Sequence, residues 1–200
     1  MTESRGIDEA EAKALLLELA RLRRENDDLR LRVAELTDLS DRDPLLGVLN
    51  RRAFLRELAR VQAYSKRHNL PAAIVFFDLD GLAEINNRHG HEAGDEALRT
   101  VCRTVRACVR VSDLLGRLGG DEFGLVLVGT GAAAADQKML VISETLSETR
   151  VQAGLDPKGL NISITYGVQS IASDCPPEAL IARADRDFYG RKGRNGFTRP

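Results

Sequence analysis

Apolar positions along the chain change their period several times, and each period predicts a different element. In the first forty residues leucine recurs every seven positions, and a second set of mostly apolar residues is also seven apart, which is the heptad pattern of a coiled coil. This pattern predicts a separate dimerisation unit over residues 1–40, in which two copies pair as parallel helices. The alternative is an amphipathic helix packed on its own domain. The two sets are Leu15, Leu22, Leu29 and Leu36, and Ala12, Leu19, Asn26 and Val33.

Charged residues beside this seam favour a parallel pair. Glu18 and Glu25 would face Arg23 and Arg30 of a second copy. Asn26 is the polar member of its set, and a buried asparagine fixes register and two-strandedness at some cost in stability. We therefore expect a homodimer through this segment, which is short and needs the attached domains to pair firmly.

Beyond residue 40, helical periods alternate with short apolar runs. Helices are predicted from Asn50 to about residue 69, at 82–87, 94–110, 132–150 and 177–192. Strands are predicted at 72–77, in a hairpin over 114–128, and at 160–169. This mixture predicts one α+β domain over residues 41–200, with helices packed on a central sheet.

Composition and charge fit a cytoplasmic protein of one ordinary domain with an appendage. The 200 residues are 43% hydrophobic and 30% charged with a formal net charge of -1, so we expect neither nucleic acid nor membrane as a partner. The N-terminal leucines are too few and too closely flanked by charges for a signal peptide, and no apolar run is long enough to span a bilayer. Cys102, Cys108 and Cys175 form no metal-ligand pattern and fit a reducing compartment.

Carboxylates stand at the ends of two predicted strands. The sequence Gly119-Gly120-Asp121-Glu122-Phe123 predicts a tight hairpin, because glycine permits turn conformations and lets the backbone approach a ligand closely. The apolar strand over 72–77 runs directly into Asp78. Two carboxylates on neighbouring strands could hold magnesium against the phosphates of a nucleotide. The alternatives are solvated charges in an exposed turn and, for Asp78 and Asp80, ordinary strand-end residues.

From about Leu39 to Phe197 the chain resembles a GGDEF domain, the catalytic domain of diguanylate cyclases. The resemblance implies a fold like that of nucleotide cyclases and the polymerase palm, with a mostly antiparallel central sheet surrounded by helices. Four ordered blocks carry it: the entry motif at 43–52, a second block at 78–95, the signature at 119–123, and Ala184-Asp185, Tyr189 and Lys192 in the closing helix.

The resemblance also implies a role for each matching residue. Asp78, Asp121 and Glu122 are implied as catalytic, with Asp78 and Asp121 binding Mg2+ or Mn2+ by carboxylate and Leu79 by its carbonyl. Glu122 is implied as a ligand of a second metal ion or as an acid/base partner. The implied substrate contacts are Asn86 and Asp95 at the guanine edge, Gly119 and Gly120 against the nucleotide, and Lys192 with Arg194 at the terminal phosphates.

Diguanylate cyclases join two GTP molecules into cyclic di-GMP and release two pyrophosphates. Each domain holds one GTP and two domains face each other, so the heptad segment would raise the effective concentration of the second domain. Arg110 and Asp113 match the family's inhibitory product site in their spacing from the signature. Arginine can bind phosphate or the edge of guanine bidentately, which suits such a site. The alternative is an ion pair at a helix end.

The chain departs from the family pattern at several positions. Ala83 stands where a lysine is usual, which could slow catalysis by orders of magnitude unless another cation substitutes. The remaining departures are Leu46 for threonine, Asn87 for aspartate, and a closing motif from Lys192 to Asn195 that is two residues short. His91 fits a structural role better than metal binding.

Ala83 leaves an alternative function open, that of a non-catalytic module that binds GTP or cyclic di-GMP. A third reading, a dimerisation protein with a vestigial domain, leaves the carboxylates unexplained.

Overall fold

The computed structural model describes residues 16–27, 41–151, 159–171 and 175–192, with Lys192 described by its backbone alone. The chain divides into two compact units, Met1–Asp41 and Arg42–Pro200. In the first unit, residues 16–27 form helix α1, on which Leu19 and Leu22 are 44% and 53% exposed. Most of the predicted heptad positions lie outside the described residues, so parallel pairing of this segment stays a prediction.

The second unit alternates helices and strands, as the apolar periods predict. No helix among the described residues is long and apolar enough to cross a membrane. The elements are β1 (Leu49–Asn50), α2 (Arg51–His68), β2 (Ala72–Leu79), α3 (Leu82–His89), α4 (His91–Cys108), β3 (Leu114–Arg117), β4 (Glu122–Val128), α5 (Ala132–Glu148), β5 (Arg150–Val151), β6 (Leu160–Asn161), β7 (Ile164–Ser170) and α6 (Pro177–Lys192).

A five-stranded sheet forms the centre of this unit, in the order β1-β3-β4-β2-β7. Strand β1 is parallel to β3, and the other neighbours are antiparallel. All eight residues of β2 are buried, as expected of a strand with neighbours on both sides and helices on both faces. The prediction of an α+β fold with a mostly antiparallel sheet is confirmed.

Several predicted elements differ from the structure in their bounds. Helix α3 ends at His89 rather than at residue 87, and α4 spans His91–Cys108 rather than 94–110. The apolar alternation over 160–169 is divided between β6 and β7, and β6 pairs with β5 in a separate two-stranded sheet. The division falls at Ser163, whose carbonyl accepts from the Asp80 N–H at 3.0 Å and whose hydroxyl donates to the Asp80 carboxylate at 3.0 Å. Helix α5 ends at Glu148, earlier than predicted, because Arg150 begins β5.

Helix α2 supports the hairpin formed by β3 and β4. Its first turn is capped by Asn50, whose side chain accepts from the Ala53 N–H at 2.9 Å, as the sequence predicts. Phe54, fully buried, packs closely against Gly116 of β3 and Gly124 of β4. A Cβ atom at Gly116 would lie 2.7 Å from the Phe54 ring, and one at Gly124 would lie 2.5 Å from it. Both glycines are therefore required by the close approach of the ring rather than by backbone conformation.

Candidate active site

The end of β2 lies beside the start of β4, and this brings the predicted carboxylates together. Asp78 is paired with Glu122 in the antiparallel register. The Leu79 N–H donates to the Asp121 carbonyl at 3.2 Å, which extends the contact past the last register pair into the turn. Asp78 is 3% exposed, whereas Asp121 and Glu122 are partly exposed. Four residues from two distant blocks of sequence thus occupy one end of the sheet.

The donors at this end of the sheet are oxygen atoms, the ligands that Mg2+ and Mn2+ prefer. Within the described ranges, no group of three or more His, Cys, Asp or Glu side chains forms a ready-made metal cluster. Mg2+ characteristically uses one or two protein carboxylates and takes its remaining ligands from substrate phosphates and water. The donor set therefore fits a cation held jointly with a nucleotide, and the identity of the ion stays a prediction.

The two glycines of the turn serve different purposes. The predicted hairpin is present, with the Leu118 N–H donating to the Glu122 carbonyl at 2.8 Å, but neither glycine has a positive φ. A Cβ atom at Gly119 would lie 2.6 Å from Oε2 of Glu122 and 3.2 Å from its Cδ, so this glycine makes room for the glutamate. A Cβ atom at Gly120 would meet no described atom within 4 Å, which leaves the backbone open on its outer side. The second expectation, close approach of a ligand, remains compatible with Gly120.

An arginine of β3 holds the turn in place. Arg117 donates to the Gly119 carbonyl at 3.1 Å and to the Gly120 carbonyl at 2.6 Å. The same guanidinium contacts the Asp43 carboxylate at 3.2 Å, and the two side chains are only 18% and 15% exposed. Arg51 adds a bond to the Leu118 carbonyl at 3.2 Å. These basic residues therefore fix the backbone that presents Asp121 and Glu122.

Sequence reasoning did not identify Arg117 as part of the site. The available signal was a charged residue inside the apolar hairpin, together with an aspartate at the start of the entry motif. Asp43 is further engaged by the N–H groups of Leu45 and Leu46 at 3.0 and 2.9 Å. The entry motif therefore folds around a carboxylate that also holds the arginine of the signature turn.

Asp80 has the role of a strand-end residue, which is one of the alternatives that its position in the sequence allows. Its carboxylate accepts from the hydroxyls of Ser163 and Thr165 at 3.0 and 2.9 Å. These bonds tie the end of β2 to the start of β7. Asp80 is thus a strand-end residue, and Asp78 is the carboxylate of this pair that faces the register position of Glu122.

The two residues assigned to guanine lie on adjacent helices. Asn86 is on α3, and its side chain fills the space above Gly94, so that a Cβ atom there would overlap the Asn86 amide. Asp95, next to Gly94 on α4, is 45% exposed and lies 3.9 Å from Arg99. Ala83 is exposed on α3, and beside it Glu84 pairs with Arg88 at 2.6 Å.

The closing helix ends at the residues assigned to the terminal phosphates. Arg194 and the Lys192 side chain lie outside the described residues, so their positions stay predictions. Arg191 is anchored to Asp136 of α5 at 2.8 Å and to Asp187 at 3.2 Å, and its guanidinium lies 4.8 Å from the Tyr166 ring centroid. Burial, reinforced by the nearby Asp136 charge, raises the pKa of Tyr166, which keeps the phenol neutral.

The predicted inhibitory residues line a cavity of about 490 Å3 on a different part of the domain, beyond the end of α4. Arg110 and Asp113 are both among its lining residues. The Asp113 carboxylate accepts from the Arg110 N–H at 2.8 Å and from the Val128 N–H at 3.1 Å. The aspartate therefore contacts the Arg110 backbone, which differs from the helix-end ion pair considered as the alternative.

Comparison with known proteins agrees with this arrangement. The family described as "Diguanylate cyclase, GGDEF domain" matches residues 40–197. The response regulator PleD of Caulobacter vibrioides is 32% identical over 198 residues, covering 98% of this chain and 44% of PleD. The probable diguanylate cyclase DgcC of Escherichia coli is 38% identical over 113 residues, covering 56% of this chain and 30% of DgcC. The chain thus spans less than half the length of these curated relatives.

A solved structure shows the same similarity. The crystal structure of the diguanylate cyclase SiaD from Pseudomonas aeruginosa, in complex with its activator SiaC, superposes with a TM-score of 0.75. Its sequence is 28% identical, and the superposition covers 94% of this chain and 71% of SiaD. The similarity therefore extends from sequence blocks to three-dimensional structure.

Proposed function

Since this chain belongs to the GGDEF family of diguanylate cyclase domains, we propose that it condenses two GTP molecules into cyclic di-GMP and two pyrophosphates across a homodimer. The observation that carries this proposal is the register of β2 and β4, which sets Asp78 opposite Glu122 and next to the Asp121 turn. A buried carboxylate beside two partly exposed ones is suited to binding a cation shared with substrate. We place this activity in the cytoplasm, because that is where GTP is available.

In this proposal the carboxylates of Asp78 and Asp121 and the Leu79 carbonyl hold Mg2+ or Mn2+, with Glu122 as a further ligand or acid/base partner. The ion, when bound, favours deprotonation of a ribose 3′-hydroxyl and neutralises charge on the phosphoryl group. Each 3′-oxygen bonds to the α-phosphorus of the other GTP, and the bond from that phosphorus to the leaving pyrophosphate breaks. Two such displacements close the ring.

Substrate recognition is assigned to the adjoining helices and to the turn. Asn86 and Asp95 offer an amide and a carboxylate, which suit the O6 acceptor and the N1 and N2 donors of guanine. Gly120 leaves the backbone open to the nucleotide, while Arg117 holds that backbone rigid. Lys192 and Arg194 take the terminal phosphates in this assignment.

The reaction needs two domains, and we assign their pairing to residues 1–40 as a parallel coiled coil. The exposed leucines of α1 support this, because two adjacent copies would bury them. Replacing Asn26 by leucine should change the oligomeric state or the activity, measured by light scattering and by product formation. Unchanged values for both would remove the main support for the coiled coil.

Two further roles belong to the proposal. Arg110 and Asp113 contribute to a cavity that binds cyclic di-GMP, and the bound product inhibits further synthesis. The second candidate function is a GGDEF domain that binds GTP or cyclic di-GMP without catalysis, and the observation that favours it is Ala83. Its neighbours Glu84 and Arg88 neutralise each other, so α3 presents no net positive charge at this position.

Chromatographic product analysis after incubation with GTP and Mg2+ tests both functions. Wild type and Arg110→Ala are run in parallel, because bound product could mask activity, and Asp121→Asn is the matched carboxylate control. Cyclic di-GMP from either of the first two, lost in Asp121→Asn and after EDTA, supports the cyclase. Nucleotide binding without product from either protein would favour the binding module, and restoring lysine at Ala83 would be the next variant.

A further inference from the structure

The cavity beyond α4 carries more positive charge than its two predicted residues supply. Its lining includes Arg42, Arg106 and Arg110, against the single carboxylate of Asp113. Arg106 lies in the last turn of α4, Arg110 follows that helix, and Arg42 precedes the turn of the entry motif. All three arginines are exposed, so their guanidinium groups are accessible to a ligand that enters.

The contacts of Arg42 and Arg106 are unusual for two cations. Both donate to the same neutral acceptor, the Gly47 carbonyl, at 2.8 and 3.2 Å. Two guanidinium groups that share one carbonyl repel each other and leave most of their N–H donors unused. An anion placed between them would relieve the repulsion and accept the remaining hydrogen bonds.

Asp113 does not compensate this charge by pairing with either arginine. Its two oxygens accept from the backbone N–H groups of Arg110 and Val128. Among the described residues, the Arg110 guanidinium has no hydrogen-bond or ion-pair partner. Asp113 is therefore a positioning residue that fixes the Arg110 backbone to the end of β4, and three guanidinium groups remain available to a ligand.

We propose that Arg42 and Arg106 are phosphate-binding residues of this cavity and complete, with Arg110, a three-arginine site for a ligand that carries two phosphodiesters. The proposal rests on the product-binding role given to Arg110 and Asp113 above, and it adds two phosphate-binding residues to that pair. A volume of about 490 Å3 falls within the usual range for small-ligand sites. Arginine grips phosphate bidentately, which gives each of the three a defined contact.

Calorimetric titration with cyclic di-GMP tests this assignment on the full chain. The variants are Arg106→Ala, Arg42→Ala and Arg106→Lys, the last of which keeps the charge but loses the planar fork. The matched control is Arg103→Ala, on the same helix, where the arginine pairs with Glu96 at 2.8 Å and does not line the cavity. Thermal unfolding of each variant establishes that it is folded.

We expect Arg106→Ala and Arg42→Ala each to weaken cyclic di-GMP binding by about tenfold or more, since a charged hydrogen bond to phosphate is lost. Arg106→Lys should fall between wild type and alanine, and Arg103→Ala should match wild type. Inorganic pyrophosphate, titrated as a second probe, should bind more weakly than cyclic di-GMP. Affinity should also decrease as salt is added.

Several outcomes would overturn the assignment. Wild-type affinity in both alanine variants would exclude Arg42 and Arg106 from the site while leaving the product-binding role of Arg110 intact. An equal loss in Arg103→Ala would show a general charge effect, and equal binding of pyrophosphate would show a non-selective anion site. If the wild type binds no cyclic di-GMP, both the assignment and the inhibitory site fail, whereas synthesis from GTP, measured separately, still decides the cyclase proposal.

Discussion

Gly119→Ala should separate catalysis from stability in this domain. The added Cβ would lie 2.6 Å from Oε2 of Glu122, the tip of a flexible side chain. To restore an ordinary van der Waals separation, that oxygen must move by roughly 0.8 Å. Since the Gly119 backbone has no positive φ, alanine itself is tolerated there.

The two free-energy terms of this substitution nearly cancel. Displacing the Glu122 side chain from its rotamer costs about 0.5–1.5 kcal/mol. Replacing glycine by alanine lowers the entropy of the unfolded chain, which stabilises the fold by about 0.4–1 kcal/mol. We therefore expect the free energy of unfolding to change by less than about 1 kcal/mol.

Activity should respond far more strongly than stability. A displacement approaching 1 Å in a reacting or metal-binding group can reduce the rate by about 100-fold. The assay is the initial rate of cyclic di-GMP formation at saturating GTP, with urea unfolding of the same preparations. Gly131→Ala is the matched control, because a Cβ there meets nothing within 4 Å and the residue lies at the start of α5.

Two results would refute this reasoning. A wild-type rate in Gly119→Ala would mean that catalysis does not depend on where Glu122 lies relative to the turn. A loss of more than about 2 kcal/mol in unfolding free energy would mean that the glutamate cannot yield and that Gly119 is required for folding.

Three further predictions concern the framework of the site. A double-mutant cycle of Arg117→Ala and Asp43→Ala, followed by urea unfolding, should give a coupling of about 1–3 kcal/mol, and additive losses would contradict the contact at 3.2 Å. Phe54→Ala should cost about 3–5 kcal/mol in the same assay, against less than about 0.5 kcal/mol for the exposed Tyr64→Ala on the same helix. Burial raises the pKa of the Cys102 thiol from 9.0 to about 11, so the folded state keeps this proton to a higher pH than the unfolded chain does. Stability should therefore fall as pH rises from about 9 to 11, and Cys102→Ala should remove part of that slope.

Local patterns in the sequence were sufficient to predict most of the elements. The Asn50 cap, the continuous apolar run of β2, the hairpin of β3 and β4 and the bounds of α6 each depend on residues close in sequence. The interruption between β6 and β7 could not be predicted in this way, because it depends on the bonds between Ser163 and Asp80, which are distant in sequence.

The candidate site shows the same division. Residue types and order identified Asp78, Asp121 and Glu122, but only the strand register shows that Asp78 and Glu122 lie opposite each other. The contact between Arg117 and Asp43 spans 74 positions in sequence, and no local sequence pattern predicts it. The reason for Gly119 also required the structure, since steric room for one side chain leaves no periodic signal.

The central position of β2 has a consequence for the newly made chain. Both of its neighbours follow it in sequence, β4 beginning at Glu122 and β7 at Ile164. During synthesis, the run Ala72 to Phe77 therefore leaves the ribosome with both edges unpaired and with no partner strand yet made. An apolar, strand-forming segment of this length, without charge or proline, is prone to intermolecular association. The rigidity that holds Asp78 in place is thus acquired late, and aggregation during expression should begin at the strand that carries the candidate catalytic carboxylate.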